Sequence, residues 1–322
     1  MDTLYLVIPC YNEEEVLTET SRRLFEKLSF LINDKQIKSN SKIMFINDGS
    51  KDKTWNIIEE LHRQDPVFCG VNLSKNSGHQ NALLAGLMTA RKYADMVISL
   101  DADLQDDIDA IDKFLKEYYN GSEIVYGVRS SRESDTFYKK TTAHIFYKLM
   151  IFLGVDLIYN HADYRLMNRR ALDSLSNFKE VNLFLRGIVP LIGLRYSIVE
   201  YVRNERFAGK SKFPFNKMIA FAWDGITSFS IKPIRIVSGL GFLIFIISLI
   251  ALIYILVSKI YGHTVAGWTS ISVSLWLVGG IQLLSIGIIG EYIGKIYRET
   301  KQRPLFLISD VLIDKNEEDG NH

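Results

Sequence analysis

Asp101, Asp103, Gln105 and Asp106 crowd into the stretch Ser99-Leu100-Asp101-Ala102-Asp103-Leu104-Gln105-Asp106, directly behind the apolar run Met96-Val97-Ile98. Carboxylates gathered at the end of a strand repel one another unless a cation lies between them. Hard divalent ions such as Mg²⁺ or Mn²⁺ take oxygen ligands and bridge a few protein oxygens to substrate phosphates. The stretch therefore suggests a metal-assisted diphosphate site. Asp106 and Asp107 equally suit a helix N-terminus, where acids favour the dipole.

Other polar clusters stand at similar places. Pro9-Cys10-Tyr11-Asn12-Glu13 ends one apolar run, and a ring and an amide there could hold a nucleobase, although a capped strand-to-helix turn reads the same way. Asn47-Asp48-Gly49-Ser50 ends a second run, where Asp48 could accept from a base or a ribose hydroxyl. Ser77-Gly78-His79-Gln80-Asn81 opens a helical stretch; His79 has no metal-ligand spacing and suits a polar lining. Asp163-Tyr164-Arg165 pairs an acid with a base before an apolar stretch, which also fits a buried ion pair. Arg206-Phe207-Ala208-Gly209-Lys210-Ser211-Lys212 is a basic, glycine-containing loop suited to closing on a diphosphate or to standing in solvent.

These clusters must be positioned by regular elements. Up to about Arg129, short β-branched runs at 4–9, 42–47, 68–73, 96–100 and 123–128 alternate with amphipathic stretches at 13–31, 53–63, 79–93 and 109–119. That alternation predicts βαβ units, a parallel sheet covered on both faces, and ligands at the carboxyl ends of the strands. The stretch 136–154 mixes aromatic and basic residues, as a helix at a membrane surface or an amphipathic core helix would.

The 322 residues leave room for a sizeable core, and a net charge of +1 gives no global basic field, so no nucleic-acid partner is expected. Cys10 and Cys69 lie in apolar segments without metal spacing and are expected to be reduced. No cleavable signal peptide is expected at the N-terminus. Two uncharged apolar runs, 236–258 and 271–290, are each long enough to span the ~30 Å hydrocarbon layer. Lys217, Lys232 and Arg235 precede the first and Lys295, Arg298, Lys301 and Arg303 follow the second, whereas only Lys259 and His263 lie between. The positive-inside rule then puts both termini in the cytoplasm and the loop outside. The expected division is a catalytic domain at 1–213, an interfacial helix at 214–233, a transmembrane hairpin at 234–295 and a polar cytoplasmic tail at 296–322, without fixed structure from Asp310 onward. Glycines 239, 241, 279, 280 and 287 could let helices approach closely in a homo-oligomer.

From Leu4 to about Arg303 the chain resembles the polyprenyl-phosphate glycosyltransferases of glycosyltransferase family two, the group that includes dolichol-phosphate mannose synthases and bactoprenol glucosyltransferases. The motifs that carry the resemblance are Ile8-Pro9-Cys10-Tyr11-Asn12-Glu13, Asn47-Asp48-Gly49-Ser50, Gly78-His79-Gln80-Asn81-Ala82, Asp101-Ala102-Asp103-Leu104-Gln105-Asp106, Asp163-Tyr164-Arg165-Leu166 and Arg206–Lys212, in this order, followed by the apolar pair. The resemblance implies a GT-A fold, α/β with a Rossmann-like, mostly parallel sheet. It implies inverting transfer of one sugar from a nucleotide diphosphate-sugar to a membrane polyprenyl phosphate, with UDP-glucose or UDP-N-acetylglucosamine as donor and undecaprenyl phosphate as acceptor at the inner leaflet of the plasma membrane. By matching position, Pro9, Tyr11, Glu13, Asp48 and Asp101 would bind the nucleotide, and Asp101, Asp103 and Gln105 would meet the Mg²⁺ or Mn²⁺. Arg129, Ser211 and Lys212 would bind phosphate, and Asp103, Asp163 and Arg206 would be catalytic. A processive polysaccharide synthase is the competing enzyme, but its Gln-x-x-Arg-Trp motif is missing, since the sequence holds no Arg-Trp pair. An inactive membrane-anchored nucleotide-sugar-binding protein is the alternative outside catalysis.

Overall fold

The computed structural model describes residues 1–130, 161–181, 184–202, 227, 232–260 and 267–313. Its sheet begins with β1 (Leu4–Cys10), β2 (Lys42–Asn47), β3 (Phe68–Leu73) and β4 (Met96–Ser99), separated by α1 (Leu17–Asn33), α2 (Thr54–Gln64) and α3 (His79–Ala90). Then come α4 (Ala110–Tyr119), β5 (Ile124–Arg129), β6 (His161–Asn168), α5 (Arg169–Leu175), α6 (Leu185–Leu191) and β7 (Tyr196–Tyr201). The long helices α7 (Lys232–Ile260) and α8 (Trp268–Lys301) follow, and the strand β8 (Ile308–Leu312) closes the described chain.

Every residue of β1 is buried. Leu4, Leu6 and Ile8 pack on one face with Leu24 and Leu28 of α1 and Phe114 of α4, while Tyr5 and Val7 pack on the other with α3. A strand with two buried faces must be apolar without interruption, which is why these runs stand out in the sequence. The close fit of α3 depends on Gly86, where a Cβ would lie 2.5 Å from Val7 Cγ1 and 2.7 Å from Ile46 Cγ1. Gly86→Val is expected to destabilise the protein by about 1–3 kcal/mol through overpacking, measured as a lower denaturant midpoint at unchanged slope.

The sheet order is β7-β5-β6-β4-β1-β2-β3-β8. β1 pairs parallel with both β2 and β4, so the chain winds outward through β2 and β3 and returns to the other side of β1. The crevice where the order reverses, between the carboxyl ends of β1 and β4, is where ligands bind in such sheets. The expected parallel sheet is thus present, with antiparallel additions. β6 runs against both β4 and β5, and β8 runs against β3.

Two sequence expectations change. The tail expected to lack fixed structure from Asp310 instead carries β8, with Val71 paired to Val311 and Asn72 to Asp310. Backbone pairing with β3 and packing of Leu312 against the core supply order that composition does not display. The helical element that begins before the second apolar run also continues beyond 295, since α8 extends to Lys301. The helices α7 and α8 have 29 and 34 residues and carry exposed apolar side chains, among them Phe242, Ile250, Ile271, Leu275 and Leu283. Among the described residues no helix is long and apolar enough to cross a membrane, and several α7 side chains, such as those at 248–249 and 251–252, lie outside that set. The helix expected at 136–154, nearly all of the interfacial helix at 214–233 and the basic loop with Arg206, Ser211 and Lys212 lie outside the described residues.

Candidate active site

The loops at the carboxyl ends of β1, β2 and β3 are fastened to one another. Asn12, at φ +53°, donates its backbone N–H to Ser50 Oγ at 3.0 Å and accepts from Lys51 N at 2.8 Å on its Oδ1. Glu13 N donates to Thr54 Oγ1 at 2.9 Å. Pro9 is buried in β1, whereas Tyr11 and Glu13 are half-buried at its mouth. Asp48 is buried; its Oδ1 accepts from Ser77 N at 2.6 Å and its Oδ2 from Gly78 N at 3.0 Å. Burial raises its pKa against the pull of those two N–H groups. Its carboxylate is therefore engaged in fixing the loop before α3. At Gly49, φ +60°, a Cβ would lie 2.5 Å from Asn76 N, so only glycine lets the two loops meet there.

The acidic stretch forms a tight turn behind β4. Thr20 Oγ1 of α1 donates to Ala102 O at 2.7 Å, and Asp103 Oδ1 accepts from Gln105 N at 3.2 Å. Between them Leu104 sits at φ +58° with its side chain buried, a left-handed conformation costing roughly 1–2 kcal/mol for a residue with a Cβ. The turn brings Asp106 Oδ2 back to within 3.4 Å of Asp101 N. Asp106 is buried and accepts from Tyr201 Oη at 2.6 Å. Burial and the charge of Asp101 push its carboxyl up to about 6, against the Tyr201 hydrogen bond and Arg129. Arg129, at the end of β5, donates from Nε to Tyr201 Oη at 3.4 Å and holds Nη2 4.0 Å from Asp106 Oδ1.

Because β6 is antiparallel to β4, its first residues stand beside β4's last ones: Ser99 pairs with Arg165. Asp163 thereby enters the same site, 8% exposed and surrounded by cations. Its Oδ1 accepts from Arg165 Nη2 at 2.8 Å and Arg186 Nε at 3.2 Å, and its Oδ2 from Arg186 Nη2 at 3.0 Å. His79 Nε2 lies 3.5 Å from Asp163 Oδ2 and 3.7 Å from Asp101 Oδ1, bridging the two acids. Burial would raise the Asp163 carboxyl, but Arg186, His79 and Arg165 hold it well below the ordinary range. Burial would lower His79, yet the Asp163 hydrogen bond and the charges of Asp101 and Asp163 push it up to about 9. The arrangement favours an anionic Asp163 beside a protonated His79, whose side chain is 41% exposed. The ion pair of Asp163 and Arg165 is real and buried, with Arg165 1% exposed.

The structure brings Asp101, Asp103, Gln105, Arg129 and Asp163 to the end of the sheet that also bears Pro9, Tyr11, Glu13 and Asp48. Sequence reasoning did not single out Arg186 or Tyr201 and gave His79 only a lining role. His79 and Arg186 are single charges without a spacing pattern, and their convergence depends on α3 and α6 meeting β6; Gln80 Oε1 accepting from Leu185 N at 2.9 Å is one such join.

Among the described residues no three His, Cys, Asp or Glu side chains gather as a metal cluster. Asp101, Asp103 and Gln105 supply two carboxylates and an amide, hard oxygen donors of the kind that bind Mg²⁺ or Mn²⁺ when substrate phosphates complete the shell.

Comparison with known proteins places these features in a family. Residues 5–176 match Glycosyl transferase family 2, and residues 232–296 match the GtrB C-terminal hairpin. An uncharacterized glycosyltransferase, YkoT, of Bacillus subtilis is 55% identical over 95% of this chain and 90% of its own. The bactoprenol glucosyl transferase of Shigella phage SfX is 40% identical over 94% of this chain and 97% of its own, and the Escherichia coli prophage homolog is 40% identical over 95% and 98%. A solved glucosyl-3-phosphoglycerate synthase from Mycobacterium tuberculosis is 16% identical, with a TM-score of 0.45 over 70% of this chain and 76% of that one, too loose a likeness to argue from. The chain belongs to glycosyltransferase family 2, is a glycosyltransferase, and carries the GtrB C-terminal hairpin.

Proposed function

We propose that this glycosyltransferase transfers one sugar, with inversion, from UDP-glucose or UDP-N-acetylglucosamine to undecaprenyl phosphate at the inner leaflet of the plasma membrane. The observation that carries this is the meeting of the acidic turn at Asp101–Asp106 with the Asp163, Arg186 and His79 cluster at the β1/β4 crevice. The relatives named for bactoprenol supply the acceptor class. The exposed apolar residues along α7 and α8, and the uncharged runs at 236–258 and 271–290, favour a lipid environment for the hairpin.

In this reading Pro9, Tyr11 and Glu13 line the nucleotide, and Asp48 shapes its loop. Asp101, Asp103 and Gln105 would hold Mg²⁺ or Mn²⁺, which when bound offsets the charge on the leaving diphosphate. Arg206, Ser211 and Lys212 would close over the phosphates, and Arg129 would take the acceptor phosphate. An acceptor phosphate oxygen attacks the anomeric carbon, the bond to the diphosphate breaks, and its electron pair leaves with the nucleoside diphosphate. A phosphate monoester has its second pKa at ~6 and arrives largely as a dianion, so no proton need be removed. Asp163, held at low pKa, is a poor base and instead anchors Arg186 and His79.

The test presents a panel of radiolabelled nucleotide-sugars to the purified chain with undecaprenyl phosphate and Mg²⁺ or Mn²⁺. Label is expected to enter the lipid phase from one of the two uridine donors. No lipid label from any nucleotide-sugar would overturn the reading.

A further inference from the structure

A row of polar side chains crosses three adjacent strands at the nucleotide end of the sheet. Asn47 of β2 pairs with Asn72 of β3, and Asn72 pairs with Asp310 of β8. Their side chains are linked: Asn72 Nδ2 donates to Asp310 Oδ2 at 3.2 Å, and Asn47 Nδ2 donates to Asn72 Oδ1 at 2.8 Å. Asn47 Oδ1 then accepts from Ser50 N at 3.2 Å, and Ser50 Oγ accepts from Asn12 N at 3.0 Å. The chain of bonds runs without a gap from the C-terminal strand to the loops at 47–50 and 11–13.

The direction of this chain is set at one end. An ionised carboxylate only accepts, so Asp310 requires the NH₂ of Asn72 to face it. Asn72 must then turn its carbonyl toward Asn47, and Asn47 its carbonyl toward Ser50 N. Reversal at Asp310 would leave an NH₂ opposite the Ser50 N–H, two donors facing each other. The backbone reinforces the connection, because Ser74 N donates to Leu307 O at 2.9 Å and Ser309 Oγ to Asn72 O at 3.1 Å. At the other end of the segment α8 is tied to the catalytic domain, where Val181 N donates to Glu299 Oε2 at 3.0 Å.

We propose that the strand following the hairpin is part of the donor site, and that Asp310 is a positioning residue that sets the loops at 47–50 and 11–13 for the nucleotide through Asn72 and Asn47. The inference rests on the reading of those loops as the nucleotide's side of the site. Its consequence is that donor affinity depends on a residue beyond the hairpin, more than 200 positions from the loops it sets.

The test uses the full chain in detergent and compares Asp310→Asn, Asp310→Ala and Asp310→Lys. Calorimetry reads UDP binding with Mn²⁺, steady-state transfer reads donor KM and kcat, and thermal melting reports folding. Asparagine still offers an acceptor and should behave within about twofold of wild type, whereas lysine, which only donates, should weaken UDP binding and raise donor KM about fivefold, with alanine between them. The kcat should stay within about twofold, and in an Asn72→Ala background the lysine substitution should add nothing. Lysine and alanine variants that bind UDP as tightly as wild type would overturn the inference while leaving the proposed function standing. A wild-type chain with no affinity for UDP or another nucleoside diphosphate would overturn both.

Discussion

Replacing Asp103 with asparagine should lower the transfer rate by about 10²–10³-fold, the scale on which a lost charge-stabilising group acts in a transition state, while leaving the fold intact. Asp103 is buried, and in the turn its Oδ1 accepts from Gln105 N at 3.2 Å, which an asparagine oxygen can still do. The strained Leu104 that follows is held by its own buried side chain. The substitution therefore removes charge with little change in shape. The expected result is a collapse of kcat at a melting temperature within a few degrees of wild type; a variant that retains most of its rate would remove Asp103 from the diphosphate's surroundings.

Asp163 should behave in the opposite way, through stability. Arg165 is 1% exposed and donates to Asp163 Oδ1 and, at 3.5 Å, to Leu185 O. Asp163→Ala takes away the carboxylate that pairs with that buried guanidinium, beside Arg186 and His79, and breaking a buried pair in this way costs about 3–5 kcal/mol. The measurement is the free energy of denaturant unfolding, with asparagine as a milder second variant. The pH dependence has a definite sign. The folded carboxyl lies below its unfolded value of ~3.9, so the stabilisation is fully present above that value and is lost as acid carries the pH down through the folded pKa. Between pH 6 and 8 neither stability nor rate should show a titration belonging to Asp163. A rate that falls as Asp163 gains a proton near neutrality would return the base role to it.

The parallel half of the sheet was legible because uninterrupted apolar runs are what strands buried on both faces need, and the acids and glycines after them mark where each run stops. The sites at 9–13, 47–50 and 101–106 follow from that pattern, since all must emerge at one end. The antiparallel strands were harder to read. β6 carries Asp163 and Arg165 in its interior, which hides a strand whose charges satisfy each other. β7 is an edge strand with an exposed Tyr196 and Ile198, and β8 is a five-residue edge with Asp310 at its centre, so neither has the signature of a core element. His79 and Arg186 carry no spacing signal because they converge only through β6. The two apolar runs fall inside the helices α7 and α8, since periodicity is not needed where a stretch is apolar all round, and α8 adds a charged end through Lys301.

The central claim is that the acids after β4 serve a diphosphate through a divalent cation. The most direct measurement is transfer of labelled sugar from the active uridine donor to undecaprenyl phosphate in chelator, followed by graded addition of Mg²⁺ or Mn²⁺. Transfer is expected to stop in chelator and to return with the added ion. Full-rate transfer in chelator would contradict it.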